Sequence, residues 1–256
     1  MTIYLKSQEE IELMRNAGRI VGQTLQLVSA HVKPGVTTAE LDEIAYNFIK
    51  SQGAIPSFKG YQPHPSLPPF TGTLCTSVNE EIVHGIPGGR VLEEGDIISL
   101  DCGAIYRGWQ GDSAVTVGVG KISPELEKLL ATTKASLEAG IEQARVGNRI
   151  GDISHAIETR IKKSGDYGIV REYGGHGIGR RLWEEPSVPN HGPAGKGALL
   201  KAGMVIAIEP MLNLGVEETE TLDDRWTVIT EDHKASAHFE HTVAITDNGP
   251  VILTLP

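Results

Sequence analysis

The sequence predicts an α+β fold: one curved, mainly antiparallel sheet with helices on its outside, built as two pseudo-symmetric halves. Three observations predict it. Residues 96–120 hold two apolar runs, Ile97-Ile98-Ser99-Leu100 and Ala114-Val115-Thr116-Val117, separated by Gly103, Gly108 and Gly111, which reads as a hairpin. Each half carries a pair of amphipathic helices. The halves also resemble each other at several places in the same order, the mark of an internal duplication.

The repeat is specific. Gly35, Leu41, Ile49, Lys50 and Gly53 align at one constant offset with Gly147, Ile153, Ile161, Lys162 and Gly165. His84-Gly85-Ile86 has its counterpart in His176-Gly177-Ile178. Leu92 and Gly95, followed by a strand ending in Asp101, match Leu200 and Gly203, followed by a strand ending in Glu209. Each half therefore reads helix, helix, His-Gly-Ile, Gly, strand, acid. Packed about a pseudo-twofold axis, the copies place His84 opposite His176 and Asp101 opposite Glu209.

The helices carry their own start and stop signals. Ser7 with Glu10 and Thr37 with Glu40 form capping boxes. Ile11, Met14, Ala17, Val21, Leu25 and Val28 follow at helical spacing, and Lys33-Pro34-Gly35 ends that run. Leu41, Ile44, Ala45, Phe48 and Ile49 face the core in the second helix, which closes at Gly53. Ser123-Pro124 starts a third helix as cap and first helical residue. It carries Leu126, Leu129, Leu130, Leu137 and Ile141 and breaks at Gly147, and a shorter fourth helix closes at Gly165. Between the halves' signals, residues 55–73 are rich in proline and read as an ordered loop. Pro65-Ser66-Leu67-Pro68 meets the PxxP pattern that short proline-rich loops commonly show. Strands are expected at 74–78, 204–209, 226–230 and 238–246.

Composition excludes several classes. Of 256 residues, 39% are hydrophobic and 22% charged, as in a globular chain. No apolar run reaches the ~18 residues of a membrane span. The N-terminal residues lack a basic-then-apolar signal pattern, so a cytoplasmic location is expected. Two cysteines, Cys75 and Cys102, build no disulfide framework. A net charge of −10 argues against a broad nucleic-acid surface.

The acids point to chemistry. Asp101 and Asp112 sit at the inner ends of the hairpin strands, Glu209 ends a strand in the second half, and Glu240 lies in an apolar strand. Taken singly, each is an ordinary turn or strand-end residue. Together with His176 they make four carboxylates and one imidazole with strand addresses. Buried carboxylates in company cannot all ionise without cations. Two divalent ions balance four such charges, and oxygen-rich ligation with one His suits Mn, Fe, Co or Zn. Neither cysteine is placed to be a ligand. A site of this kind makes a hydroxide nucleophile near neutrality and polarises a carbonyl, so hydrolysis of an amide or ester is the natural reaction.

Eight segments carry a resemblance over nearly the whole chain: Lys33-Pro34-Gly35-Val36, Cys75-Thr76-Ser77-Val78-Asn79-Glu80, His84-Gly85-Ile86-Pro87, Asp101-Cys102-Gly103, Gly111-Asp112, Gly174-Gly175-His176-Gly177-Ile178-Gly179, Ile208-Glu209-Pro210 and Glu240-His241-Thr242. On these the chain resembles the methionine aminopeptidases of the bacterial, type I kind. The resemblance implies the pita-bread fold, a single catalytic domain over 1–256 with halves of about 1–120 and 121–256, and removal of the initiator Met from new chains. It implies Asp101, Asp112, His176, Glu209 and Glu240 as ligands of two divalent ions, with Asp112 and Glu240 bridging. It makes Glu209 a proton shuttle and gives His84 the stabilisation of the tetrahedral intermediate. The substrate pocket maps onto Tyr61, Phe70, Cys75 and Trp226, with Phe58 beside them. The implied partners are nascent N-termini and, transiently, the ribosome; a monomer without direct nucleic-acid or membrane binding is expected.

Two departures stand out. The proline-rich loop 62–69 is longer than the resemblance predicts. The family's second His, seven residues after the His ligand, is replaced by Trp183. An indole donates one hydrogen bond but neither accepts one nor carries a proton. The competing readings are an Xaa-Pro peptidase of the same fold and a binding module that kept the fold with weakened catalysis.

Overall fold

The computed structural model describes residues 2–256. Helices α1 (Gln8–Ser29) and α2 (Thr38–Ser51) precede strands β1 (Ile55–Pro56), β2 (Leu74–Val78), β3 (Glu81–Val83), β4 (Ile97–Tyr106) and β5 (Trp109–Gly118). Helices α3 (Pro124–Gln143) and α4 (Ile150–Lys162) open the second half. Strands β6 (Gly168–Ile169), β7 (Gly175–Gly177), β8 (Glu184–Val188), β9 (Val205–Ile208), β10 (Met211–Asn213), β11 (Thr219–Thr221), β12 (Val228–Thr230), β13 (Ser236–His238), β14 (Glu240–Thr246) and β15 (Gly249–Ile252) follow. The α+β arrangement read from the sequence is the one observed. No helix among the described residues is long and apolar enough to cross a membrane.

The caps form as their residues dictate. Both capping boxes close, with Ser7 Oγ accepting from the Glu10 N–H and Thr37 Oγ1 from the Glu40 N–H at 3.2 Å each. Ser123 caps α3 ahead of Pro124. Helix α3 stops at Gln143, four residues before Gly147, because Ala144 already leaves helical dihedrals (ψ 62°). Each helix pair covers its own core. Helices α1 and α2 bury Val21, Leu25, Leu41 and Ile49 with Leu74, Ile98 and Leu100. Helices α3 and α4 bury Leu129, Leu137, Ile153 and Ile157 with Ile206, Ile208 and Val243. Each fully buried aliphatic side chain contributes ~1.5–3 kcal/mol relative to exposure.

The nine-stranded sheet runs β1-β4-β5-β14-β9-β7-β8, with β2 on β4 and β15 on β14. The duplication shows in its details. Strand β4 pairs β5, and β9 pairs β14, either side of a central β5–β14 contact. The caps of α2 and α4 are tied down alike, by bridges Thr37↔Val91 and Arg149↔Leu199. Gly35 and Gly147 both adopt φ near +90° and donate to Leu92 and Leu200 carbonyls.

Three expectations are corrected. The hairpin turns at Arg107-Gly108, and both strands run on through Gly103 and Gly111, so Asp101 and Asp112 lie within strands. These two glycines serve packing, not turning. A Cβ on Gly111 would stand 2.7 Å from the Gly18 nitrogen of α1, and one on Gly103 would stand 2.8 Å from Phe58 and Ser57 side-chain atoms. The strand expected at 238–246 breaks at Phe239: β13 pairs β10 in a small sheet, while β14 joins the large one. The expected strand at 226–230 shortens to β12, between β11 and β3.

The segment before α1 is pinned by a buried ion pair. Lys6 Nζ lies 2.8 Å from Glu184 Oε2, with side-chain exposures of 4% and 8%. Burial pushes the Glu184 carboxyl up, but the Lys6 ammonium and the Arg181 N–H outweigh it and hold it below the ordinary range. Lys6→Met leaves this carboxylate buried without its partner, and the expected loss is about 3 kcal/mol of unfolding free energy in urea titrations at pH 7. The contribution is full above the unfolded Glu pKa of 4.5 and disappears as pH falls through the lowered folded value. The gap between wild type and variant therefore narrows in acid.

Candidate metal and peptide site

Register alone brings the predicted acids together. Asp101 on β4 pairs Ala114 of β5, and Asp112 pairs Gly103. Paired residues share a sheet face, and so do residues two apart. Asp101, Asp112 and Ala114 therefore point the same way. Glu240 on β14 pairs Ala114 and joins them. His241 pairs Ile208, so Glu209 continues opposite Glu240 just past the end of β9. Gly177 pairs Ile206, and one step further puts His176 of β7 opposite Ala207, on Glu209's face. Five neighbouring strand positions in the order β4, β5, β14, β9, β7 each send one ligand-type side chain to the concave face.

The geometry is tight. Ligand atoms of Asp112, His176 and Glu240 all lie within 4.8 Å of one another, and all three residues are buried. His176 Nε2 is 3.9 Å from Asp112 Oδ2 and 3.6 Å from Glu209 Oε1. The His176 Nδ1–H donates to the Gly177 carbonyl at 2.9 Å, since a carbonyl oxygen only accepts. This fixes the tautomer and leaves Nε2 as a lone pair facing the acids. Burial pushes Asp101 up to about 7 and carries Asp112 and Glu240 well above the carboxylate range; the negative charge of neighbouring carboxylates adds to both. Burial also raises Glu209, but His238, His176 and His84 together pull it below its ordinary value. Asp101 Oδ1, Asp112 Oδ1 and Glu240 Oε1 are buried and have no hydrogen-bond partner among the described residues. Buried oxygens without donors, clustered around an imidazole lone pair, are the donor set a hard divalent cation takes. The residues fit a metal.

A cavity of about 480 Å³ opens beside this cluster and is lined by all five of these residues. Phe58, Tyr61, Phe70, Cys75 and Trp226 form its apolar wall, as the sequence predicts. Cys75 pairs Asp101 across β2–β4 and so shares its face; burial pushes its thiol well up, out of thiolate range. Cys102 is buried in the core of the first half. Phe70 and Trp226 meet edge to face at 5.2 Å. Pro63 and Leu67 from the proline-rich loop close the cavity. Trp226 Nε1 donates to the Pro68 carbonyl at 2.9 Å, and Arg225 Nη1 to the Ser66 carbonyl at 2.6 Å. The loop is thus latched to the opposite half of the chain.

His84 lines the same cavity from a backbone with φ +61°, a left-handed conformation that non-glycine residues rarely adopt. The turn is held by the Gly85 N–H on Ser77 Oγ and the Thr76 N–H on the Gly85 carbonyl. Its ring packs edge to face on Tyr173 and Trp226. Burial lowers its pKa to about 4, so the ring is neutral at physiological pH and one nitrogen keeps a proton to donate. Trp183 stands at the cavity rim, 55% exposed, with its indole stacked on the His176 ring at 4.9 Å and 21°. Sequence reasoning missed His238, whose Nε2 lies 3.6 Å from Glu209 Oε2. The one signal for it was its place two residues before Glu240.

The sequence and the fold match known proteins throughout. Residues 12–247 match the model of metallopeptidase family M24. The methionine aminopeptidase of Clostridium acetobutylicum is 54% identical over 254 residues, 99% of each chain. Methionine aminopeptidase 1 of Bacillus subtilis is 54% identical over 98% of this chain and 99% of its own. The crystal structure of methionine aminopeptidase from Thermotoga maritima superposes with a TM-score of 0.95 at 40% identity, covering both chains completely. With the concave sheet, its outer helices and the acid–imidazole cluster in place, the chain belongs to metallopeptidase family M24, among its methionine aminopeptidases.

Proposed function

We propose that the chain removes N-terminal methionine from polypeptides whose second residue is small, with two divalent ions held by Asp101, Asp112, His176, Glu209 and Glu240. The observation that supports this most directly is the buried Asp112–His176–Glu240 cluster opening onto an apolar cavity. Asp112 and Glu240, on the two central strands, would hold metal together with His176. Ions of the Co, Mn, Fe or Zn type supply an acidic water and a Lewis acid for the scissile carbonyl.

The chain's own residues do the rest. Phe58, Tyr61, Phe70, Cys75 and Trp226 seat the unbranched, polarisable Met side chain. Glu209 carries a proton from the attacking water to the leaving amine. Neutral His84 donates a hydrogen bond to the oxygen of the scissile carbonyl as negative charge develops on it. Trp183 narrows the rim where the second residue of the substrate sits, which favours a small side chain. The natural substrates are nascent N-termini in the cytoplasm, met by a monomer that touches the ribosome transiently.

The primary test is peptidase activity on Met-Ala-Ser, Leu-Ala-Ser and Ala-Pro peptides, before and after exhaustive chelation checked by elemental analysis. Activity on the Met peptide alone, lost with the metal and restored by Co or Mn, is expected. Undiminished activity in metal-free protein would overturn the metallopeptidase reading, and equal rates on Met and Leu peptides would overturn the Met-shaped pocket. His84→Ala is expected to lose ~10²–10⁴-fold in kcat. Calorimetry should show that it still binds metal; loss of an ion would instead make His84 a ligand. Trp183→His is expected to raise kcat with little change in KM, as happens when a new hydrogen bond forms mainly in the transition state. A lower kcat in that variant would show that the stacked indole is itself the productive arrangement.

A further inference from the structure

We propose that His238 is a positioning residue of this site: its imidazole holds the outer oxygen of Glu209 so that the other oxygen stays turned toward the Asp112–His176–Glu240 cluster. The proposal rests on the metallopeptidase reading above and adds a residue to it. Glu209 lies just past the end of β9, so no strand hydrogen bond orients its side chain. Its backbone carbonyl is fixed by Asn190 Nδ2 at 3.0 Å, which leaves the orientation of its carboxylate to the side chains around it. Two imidazoles bracket that carboxylate. His176 Nε2 stands 3.6 Å from Oε1 and His238 Nε2 stands 3.6 Å from Oε2. Each imidazole is nearest a different oxygen, which allows the two oxygens different work.

His238 is built to stay where it is. It is 2% exposed. Its N–H donates to Thr116 Oγ1 at 2.8 Å, and its carbonyl accepts from the same hydroxyl at 2.8 Å. Strand β13 ends at His238 and β14 begins at Glu240, so the two side chains reach the site from either side of the Phe239 bend. His238 Nε2 is buried and has no hydrogen-bond partner among the described residues. A purely structural buried histidine normally has its ring nitrogens satisfied, because an unmade bond there costs the desolvation of the group. Here the unsatisfied nitrogen faces a carboxylate just beyond hydrogen-bond length, and catalytic hydrogen bonds are often long until the site is loaded. Held this way, Glu209 presents one oxygen to the ions and the attacking water and cannot swing its carboxylate away between proton acceptance and delivery.

The test compares His238→Leu and His238→Met, which fill the space without donating, with His238→Gln, whose amide N–H can reach the same oxygen. Each is assayed for kcat and KM on Met-Ala-Ser and titrated with Mn²⁺ by calorimetry as metal-free protein, with a thermal melt to verify folding. The apolar variants are expected to lose about 10–100-fold in metal affinity, in kcat, or in both, with KM little changed. His238→Gln should restore most of that loss. Wild-type kcat and Mn²⁺ affinity in a folded apolar variant would overturn the proposal, as would a His238→Gln protein as impaired as the apolar ones. If the wild type cleaves no Met peptide with any metal, the peptidase reading fails, while the Mn²⁺ titrations still decide what His238 does to Glu209.

Discussion

The structure is organised by a single electrostatic constraint. Four carboxylates share one face of a sheet whose outer side is covered by helices. Burial pushes Asp112 and Glu240 up, and with the neighbouring negative charges they stand well above the carboxylate range. A chain gains nothing in stability from such a cluster, since unpaired buried charge costs several kcal/mol per group. The arrangement is sensible only where a cation completes it. The surrounding parts then follow: long β4 and β5 to carry two aspartates in register, and Asn190 with Gly177 to hold the backbone and tautomer of the groups that face inward.

Duplication explains how so many acids converge. Each half contributes two paired strands that carry or adjoin an acid, and the halves meet at β5 and β14, so Asp101 and Asp112 on one side mirror Glu209 and Glu240 on the other. The histidines break this symmetry. His176 lies in a strand with its lone pair on the acids, whereas His84, at the corresponding point of the other half, is turned by a left-handed backbone into the apolar cavity. The same sequence signal thus faces the acids in one half and the apolar wall of the cavity in the other. A symmetric scaffold acquires a direction, with the acid cluster at one end and the aromatic side chains at the other.

Much of this is legible in the sequence, and the failures have physical reasons. Caps, helix faces, the repeat and the acids can be read because they depend on local spacing. The sequence misplaces the hairpin turn because Gly103 and Gly111 look like turn residues, while the structure uses them for close approach to α1 and Phe58. The break at Phe239 is hidden because the residues on both sides of it are extended and only their pairing partners differ. His238 escapes notice for the same reason: its meaning lies in its closeness to Glu209, on a distant strand. The closure of the proline-rich loop depends on Arg225 and Trp226, about 160 residues away, and no local pattern encodes that.

Trp183 shows how one substitution changes what a site can do while leaving its frame intact. An imidazole at the rim would offer both a donor and an acceptor to a peptide; an indole offers a donor and a large flat face. That face lies on the buried His176 ring, 21° from parallel with it. The same imidazole is therefore met twice, by the stacked indole and by the Gly177 carbonyl that accepts from its Nδ1–H. On the proposed function, the exchange gives up a polar contact that an imidazole could make with substrate and packs the indole on a proposed ligand instead. Glu209 then has both to bind and to move a proton, so the side chains that orient it weigh more heavily here than they would with a second imidazole at the rim.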